Sequence, residues 1–166
     1  MKKISKKVVL AGNFGVGKTS LVRKFVYQKF SDEYLSTLGV KIDRKVLHIG
    51  DTELTLVIWD IAGEVNGSKI PTSYFLGASG LIYVIDLSRP STYANVQEEI
   101  TYLEGLMEDV SICLIANKLD LVEAKDLTHT QQVVKRTIDF FTSAKTGENV
   151  NEMFYFLARK LLQVPT

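Results

Sequence analysis

Gly12-Asn13-Phe14-Gly15-Val16-Gly17-Lys18-Thr19 holds the densest chemistry in the sequence. It fits G-x-x-x-x-G-K-[ST], in which glycines let the backbone curl with its N–H groups turned inward, toward phosphate oxygens. Lys18 brings a full positive charge to the outer phosphates, and the Thr19 hydroxyl is a ligand type suited to Mg²⁺. The candidate phosphate contacts are Asn13, Phe14, Gly15, Val16, Gly17, Lys18, Thr19 and Ser20. An apolar run, Val8-Val9-Leu10-Ala11, precedes the pattern, and Leu21 to Val26 follow it with helical spacing. That strand–loop–helix context is the one in which such a loop binds phosphate, with the helix start adding partial positive charge. Taken alone, the pattern is also compatible with a glycine-rich turn and a solvated lysine.

Three further constellations share its position just after an apolar run. Asp60 and Gly63 follow Leu54 to Trp59, where a carboxylate can hold a metal-bound water and a glycine N–H can approach a terminal phosphate. Asp near Gly is common in ordinary turns, so this pair is weak by itself. Asn117-Lys118-Leu119-Asp120 follows Ile112 to Ala116. Asp120 can accept two charge-assisted hydrogen bonds from the N1–H and N2–H₂ edge of guanine, a pair of donors that adenine lacks. The Lys118 stem can lie over a base, and the Asn117 amide can tie this loop to the phosphate loop. Ser143-Ala144-Lys145 supplies backbone N–H groups for the guanine oxygen. Each constellation could be a capped turn after a strand; their order and spacing argue for one composite site.

The elements that must position these residues alternate. Val40 to Ile49 and Glu53 to Trp59 flank Gly50-Asp51 as a hairpin. Leu81 to Ile85, Ile112 to Ala116 and Ile138 to Thr142 read as further strands. Helical spacing covers the stretch to about Lys29, then Thr92–Met107, a short piece around Gln131–Arg136, and Asn149–Leu162. Phe30 to Gly39 and Asp86 to Ser91 read as loops, and Glu64 to Ser73 is polar, glycine-bearing and expected to be mobile. The pattern predicts an α/β, three-layer fold: a mostly parallel sheet covered on both faces, with one antiparallel strand from the hairpin. Ligands in such sheets bind beyond the carboxyl ends of the strands, where every motif above falls.

Composition sets the remaining bounds. The 166 residues suffice for one domain spanning 1–166. Hydrophobic residues at 46% and charged residues at 23% describe an ordinary globular chain, and a net charge of +1 gives no general pull toward nucleic acid. No apolar run approaches a spanning helix. Lys2, Lys3, Lys6 and Lys7 read as a solvated strand edge, with contact to anionic lipid the competing reading. The lone Cys113 sits in an apolar run as an inert core residue, which fits a reducing cytoplasm. No lipid-anchor motif is read at either end, and a monomer is expected.

With these residues together, the chain resembles the small GTPases of the Ras superfamily, most closely the Rab-like branch. Trp59-Asp60-Ile61-Ala62-Gly63-Glu64 and Ser73-Tyr74-Phe75-Leu76-Gly77-Ala78 carry the likeness, which covers essentially the whole chain. The resemblance implies a P-loop NTPase fold with six strands and about five helices, GTP and GDP as ligands, and Mg²⁺ held by Thr19, Thr37 and, through water, Asp60. It implies catalytic roles for Lys18, Thr37, Gly63 and the position of Glu64, and stacking of Phe30 on the guanine. Read from sequence alone, Phe30 is equally a core residue at a helix end and Thr37 any loop threonine. The implied partners are an effector, an exchange factor and a GTPase-activating protein.

Two positions depart from the family pattern. Glu64 stands where the family has a water-orienting Gln, and a carboxylate only accepts hydrogen bonds and adds negative charge beside phosphate. Phe14 stands where the family usually has a small residue, and its ring would crowd the γ-phosphate side; the competing reading is that it packs against the 64–73 loop while hydrolysis proceeds normally. No arginine lies between Phe30 and Thr37. Slow hydrolysis is therefore expected, at or below about 10⁻⁴ per second. The competing reading is a guanine-nucleotide-binding interaction module with little intrinsic activity. A P-loop kinase or ATPase is disfavoured, because nothing marks a second-substrate or lid domain and Asp120 argues for guanine.

Overall fold

Alternation along the buried strands decides the architecture. Val8 and Leu10 point to one face of the sheet, and Val9 and Ala11 to the other; Ile82 and Val84 are opposed in the same way to Leu81, Tyr83 and Ile85. Strands apolar on both sides need cover on both sides. In the computed structural model, which describes residues 1–33, 37, 39–63 and 70–166, they receive it. The strands are β1 (Lys2–Ala11), β2 (Val40–Ile49), β3 (Thr52–Ile61), β4 (Ala78–Asp86), β5 (Ser111–Asn117) and β6 (Phe140–Phe141). They form one sheet in the order β2-β3-β1-β4-β5-β6, all parallel except the β2–β3 hairpin. This is the expected α/β, three-layer sheet with its single antiparallel strand.

Helices α1 (Lys18–Tyr27) and α4 (Val150–Leu161) cover one face, where Phe25 and Phe154 stack with ring centroids 4.0 Å apart. Helices α2 (Val96–Glu104) and α3 (Ala124–Val134) cover the other through Val96, Ile100, Leu103 and Val134. Cys113 is fully buried in the first core, and burial pushes its thiol far up, as an inert core residue requires.

Several boundaries differ from those read in the sequence. The expected set of about five helices resolves, among the described residues, into four α-helices and three short 3₁₀ turns. Helix α2 begins at Val96 rather than Thr92, because Pro90–Thr92 forms a 3₁₀ turn and the Thr92 hydroxyl donates to the Arg89 carbonyl at 2.8 Å. Helix α3 begins at Ala124, seven positions before Gln131, where Glu123 and Asp126 make a reciprocal capping box. It also ends at Val134, short of Arg136. Strand β1 starts at Lys2, since its first half pairs with β3 whatever its side chains. The last strand keeps only Phe140 and Phe141: the Ile138 N–H goes to the Gln131 side chain, and the Leu114 N–H goes to the Asp139 carboxylate instead of a backbone carbonyl. The expected mobile segment falls largely on 64–69, outside the described residues. No helix among the described residues is long and apolar enough to cross a membrane.

β1 is the switch point of this sheet, with β3 on one side and β4 on the other. The crevice at the carboxyl ends of the strands opens there, and the candidate site occupies it.

Candidate functional site

The loop after β1 owes its shape to two close approaches. Gly12 has φ +141°, and a Cβ there would lie 2.3 Å from the Val84 carbonyl oxygen. Gly17 has φ +102°, and a Cβ there would lie 2.3 Å from the Asn117 Nδ2. Only glycine fits both the dihedral and the space. Gly17 is also the N-cap of α1 and offers no side-chain cap, so the first N–H groups of the helix are left for another acceptor.

Lys18 folds back over this loop. Its Nζ donates to the carbonyls of Gly12 at 2.7 Å and Asn13 at 3.0 Å, and the residue is only 7% exposed. Burial pulls its pKa down to about 8, with Asp60 opposing and Arg89 reinforcing the shift. Next to it lies an oxygen cluster. Thr19 Oγ1 donates to Asp60 Oδ2 at 2.5 Å and lies 2.6 Å from Thr37 Oγ1. Since the Thr19 proton points at the carboxylate, Thr37 donates to Thr19. The other Asp60 oxygen, Oδ1, is buried and has no hydrogen-bond partner among the described residues. Burial raises the Asp60 pKa against the pull of Thr19 and Lys18. Two hydroxyls and a carboxylate with an unpartnered oxygen form a hard-oxygen donor set of the kind Mg²⁺ takes.

The opposite end is held by side-chain hydrogen bonds. Asn117 is 1% exposed; its Nδ2 donates to the Val16 carbonyl at 3.0 Å, and its Oδ1 accepts from Thr142 Oγ1 at 3.0 Å and the Ala144 N–H at 3.3 Å. One amide thus joins the phosphate loop, the β5 end and the loop after β6. Ser143 Oγ donates to Asp120 Oδ1 at 2.7 Å and fixes that exposed carboxylate. Lys118 sits in the left-handed region with φ 68°, its Nζ 2.7 Å from Asp86 Oδ2.

A cavity of about 280 Å³ runs between the two ends. Of the residues singled out in the sequence, Phe14, Gly15, Gly17, Lys18, Thr19 and Ser20 line it from the phosphate loop. Phe30, Thr37 and Gly63 line one side, and Asn117, Lys118, Asp120, Ala144 and Lys145 the far end. Phe30 also packs against the α1/α4 core, as the core reading expects. Asn13, Val16, Asp60 and Ser143 do not line the cavity. The Asn13 Nδ2 turns to the Ser91 carbonyl at 3.5 Å, Val16 is buried in the core, and Ser143 acts through Asp120. Glu64 lies outside the described residues. Sequence reasoning missed Asp32, Glu33 and Leu121 on the cavity wall, and Asp86 and Arg89 behind it. The position of Asp86 at a strand end, matching Asp60 and Asn117, is the signal that could have found it.

A phosphate loop, a part-buried Thr–Thr–Asp cluster and an Asn-Lys-x-Asp turn at the rim of one mostly parallel sheet define a P-loop guanine-nucleotide fold. The chain belongs to the Ras family, whose model matches residues 7–163. Within the superfamily it is a Rab-like small GTPase, and GTP binding and hydrolysis in general come with that membership. It is 35% identical over 162 residues to the dog Ras-related protein Rab-13, covering 94% of this chain and 79% of that protein. It is 34% identical over 161 residues to the human Ras-related protein Rab-4A, covering 94% of this chain and 74% of that protein.

Proposed function

We propose that the chain is a single-domain molecular switch that holds GTP or GDP with Mg²⁺ in the 280 Å³ cavity, hydrolyses GTP slowly, and shows partners a different surface in each state. The observation that carries this reading is the cavity itself, with Lys18 at one end and Asp120 at the other. In this reading Lys18 exchanges the Gly12 and Asn13 carbonyls for phosphate oxygens, and the N–H groups of the loop and of the α1 start complete the cradle. Asp120 accepts from the guanine edge, Phe30 and the Lys118 stem flank the base, and the Ser143-Ala144-Lys145 loop supplies backbone N–H to the guanine oxygen. Thr19, Thr37 and Asp60 would hold Mg²⁺, Asp60 through water, and the unpartnered Asp60 Oδ1 supports that fit. When bound, the ion neutralises phosphate charge. In this reading a γ-phosphate orders the segments that carry Thr37 and Gly63, and a partner then reads them. An effector, an exchange factor and an activating protein are the partners such a switch needs, and the cytoplasm is its place; nucleic acid has no part in it.

Identification of the nucleotide released by denaturing the purified protein tests this directly. Guanosine nucleotide is expected, and adenosine nucleotide overturns the assignment. The slow rate rests on Glu64: a carboxylate brought to ~4 Å from phosphate would cost on the order of 1–4 kcal/mol. In a single-turnover assay Glu64→Gln should raise hydrolysis by about tenfold. An unchanged or lower rate removes Glu64 as the handicap. Phe14, 52% exposed on the cavity wall, favours a second reading, a nucleotide-binding interaction module that barely hydrolyses. Partner binding that is equal in the GDP and GTP-analogue forms would select it.

A further inference from the structure

Behind the cavity, the turn that follows β4 wraps a buried carboxylate. Asp86 is 0% exposed. Its Oδ1 accepts the N–H of Ser88 at 2.8 Å and the hydroxyl of Ser88 at 2.6 Å. Its Oδ2 accepts Lys118 Nζ at 2.7 Å and Arg89 Nε at 2.9 Å. Burial pushes the Asp86 carboxyl up, but the hydrogen bonds from Lys118, Ser88 and Arg89 more than reverse this and hold it below the usual carboxylate range. The other side of the Arg89 fork reaches the phosphate loop, where Nη2 donates to the Phe14 carbonyl at 2.6 Å. Asn13 Nδ2 meets the Ser91 carbonyl from the same turn at 3.5 Å.

A trans peptide sets its C=O and N–H in opposite directions. Drawing the Phe14 carbonyl toward Arg89 therefore turns the Gly15 N–H the other way, and Gly15 lines the cavity. A cation on the carbonyl also polarises the peptide and makes that N–H a better donor. We propose that Arg89, anchored on Asp86, is a positioning residue that sets the Phe14–Gly15 peptide for phosphate binding and, through the carboxylate it shares with Lys118, ties the phosphate loop to the base-binding loop. This rests on the nucleotide-switch reading above and assigns a residue outside its motifs. A guanidinium suits the task because its planar fork serves two acceptors at once, which a single ammonium does less well.

The test is a pair of affinities, GDP and GMP, each measured by competition against a fluorescent GDP analogue. The Arg89 side chain is 43% exposed, so Arg89→Ala leaves the cores untouched. Arg89→Ala is expected to lower GDP affinity by about tenfold and GMP affinity by less than about twofold, because the peptide it positions serves the outer phosphate. Arg89→Lys should recover part of the GDP-to-GMP ratio. A ratio unchanged in Arg89→Ala overturns the proposal, and so does an equal loss for both nucleotides, which is what a merely structural role gives. Failure of the wild-type protein to prefer GDP over ADP would instead overturn the nucleotide assignment, and it is seen before any variant is made.

Discussion

The base end and the phosphate end of the cavity are built on opposite principles. At the base end every key side chain already has its partner: Asn117 bonds Val16, Thr142 and Ala144, Asp120 bonds Ser143, and Lys118 pairs with Asp86. At the phosphate end the charges are poorly compensated. Lys18 is buried against neutral carbonyls with a lowered pKa, and Asp60 has a raised pKa and one oxygen without a hydrogen-bond partner among the described residues. The base end is preorganised, so a ligand gains there without a large ordering cost. The phosphate end holds a buried cation and a buried carboxylate that only partly offset each other. In the proposed reading, recognition thus sits in one half, and the ligand-dependent energy that can drive a switch sits in the other.

Removal of the strongest uncompensated charge should give the largest effect. A lysine ~4 Å from a phosphate contributes about 4 kcal/mol at an effective dielectric of ~20. Lys18→Ala is therefore expected to weaken GDP and GTP-analogue binding by about 10³-fold, read by calorimetry. A loss below about tenfold would show that the loop N–H groups alone carry the phosphate.

The preorganised end should fail differently. Asp120→Ala removes both acceptors for the guanine edge and leaves the phosphate loop intact. GDP affinity should fall by about 10²-fold while ADP affinity stays nearly constant, so that most of the guanine preference disappears. Equal losses for both nucleotides would mean that Asp120 supports the fold rather than reading the base.

The lowered pKa of Lys18 makes the contrast visible without mutation. Burial pulls the Lys18 pKa from 10.5, the value in the unfolded chain, down to about 8 in the fold. Below pH 8 the fold carries the full burden of the buried charge, and its stability rises as the lysine deprotonates between 8 and 10.5. Phosphate needs the charged form, so affinity moves the other way: GDP binding should weaken by about tenfold from pH 7 to 9. Proton uptake on binding should appear near pH 8, measured by calorimetry in buffers of different ionisation heat. Flat affinity over this range would place the Lys18 pKa near its ordinary value.

The two ends also differ in how far the sequence disclosed them. The phosphate loop is one contiguous run whose glycines encode a backbone shape, and the Asn-Lys-x-Asp turn is nearly as local. The sheet was legible for a related reason: Val8 to Ala11 and Leu81 to Ile85 are apolar on both faces, which a two-sided sheet demands. What stayed hidden depends on long-range contact or on caps that compete with periodicity. The Arg89 contact to Phe14 spans 75 positions, and the sequence around Asp86 reads simply as a loop. Helix α3 was read short because Ala124 to Thr130 carries few apolar residues, although Glu123 and Asp126 mark its start by capping. Phe30 could not be divided between core and cavity because it touches both.

Ser143→Ala gives the smallest effect and the finest test of the contrast. Ser143 is wholly buried, and its hydroxyl does nothing except orient: it donates to Asp120 and accepts the Thr146 N–H. Its loss removes no charge and no direct ligand contact, so the change acts on preorganisation alone. A hydrogen bond of this kind contributes about 1 kcal/mol, which predicts about fivefold faster dissociation of GDP in a fluorescence chase. Because the perturbation stays at the base end, a GTP analogue should be released faster by the same factor. Unequal factors would mean that the Ser143–Asp120 pair senses the γ-phosphate, and the division between a reading half and a driving half would have to be redrawn.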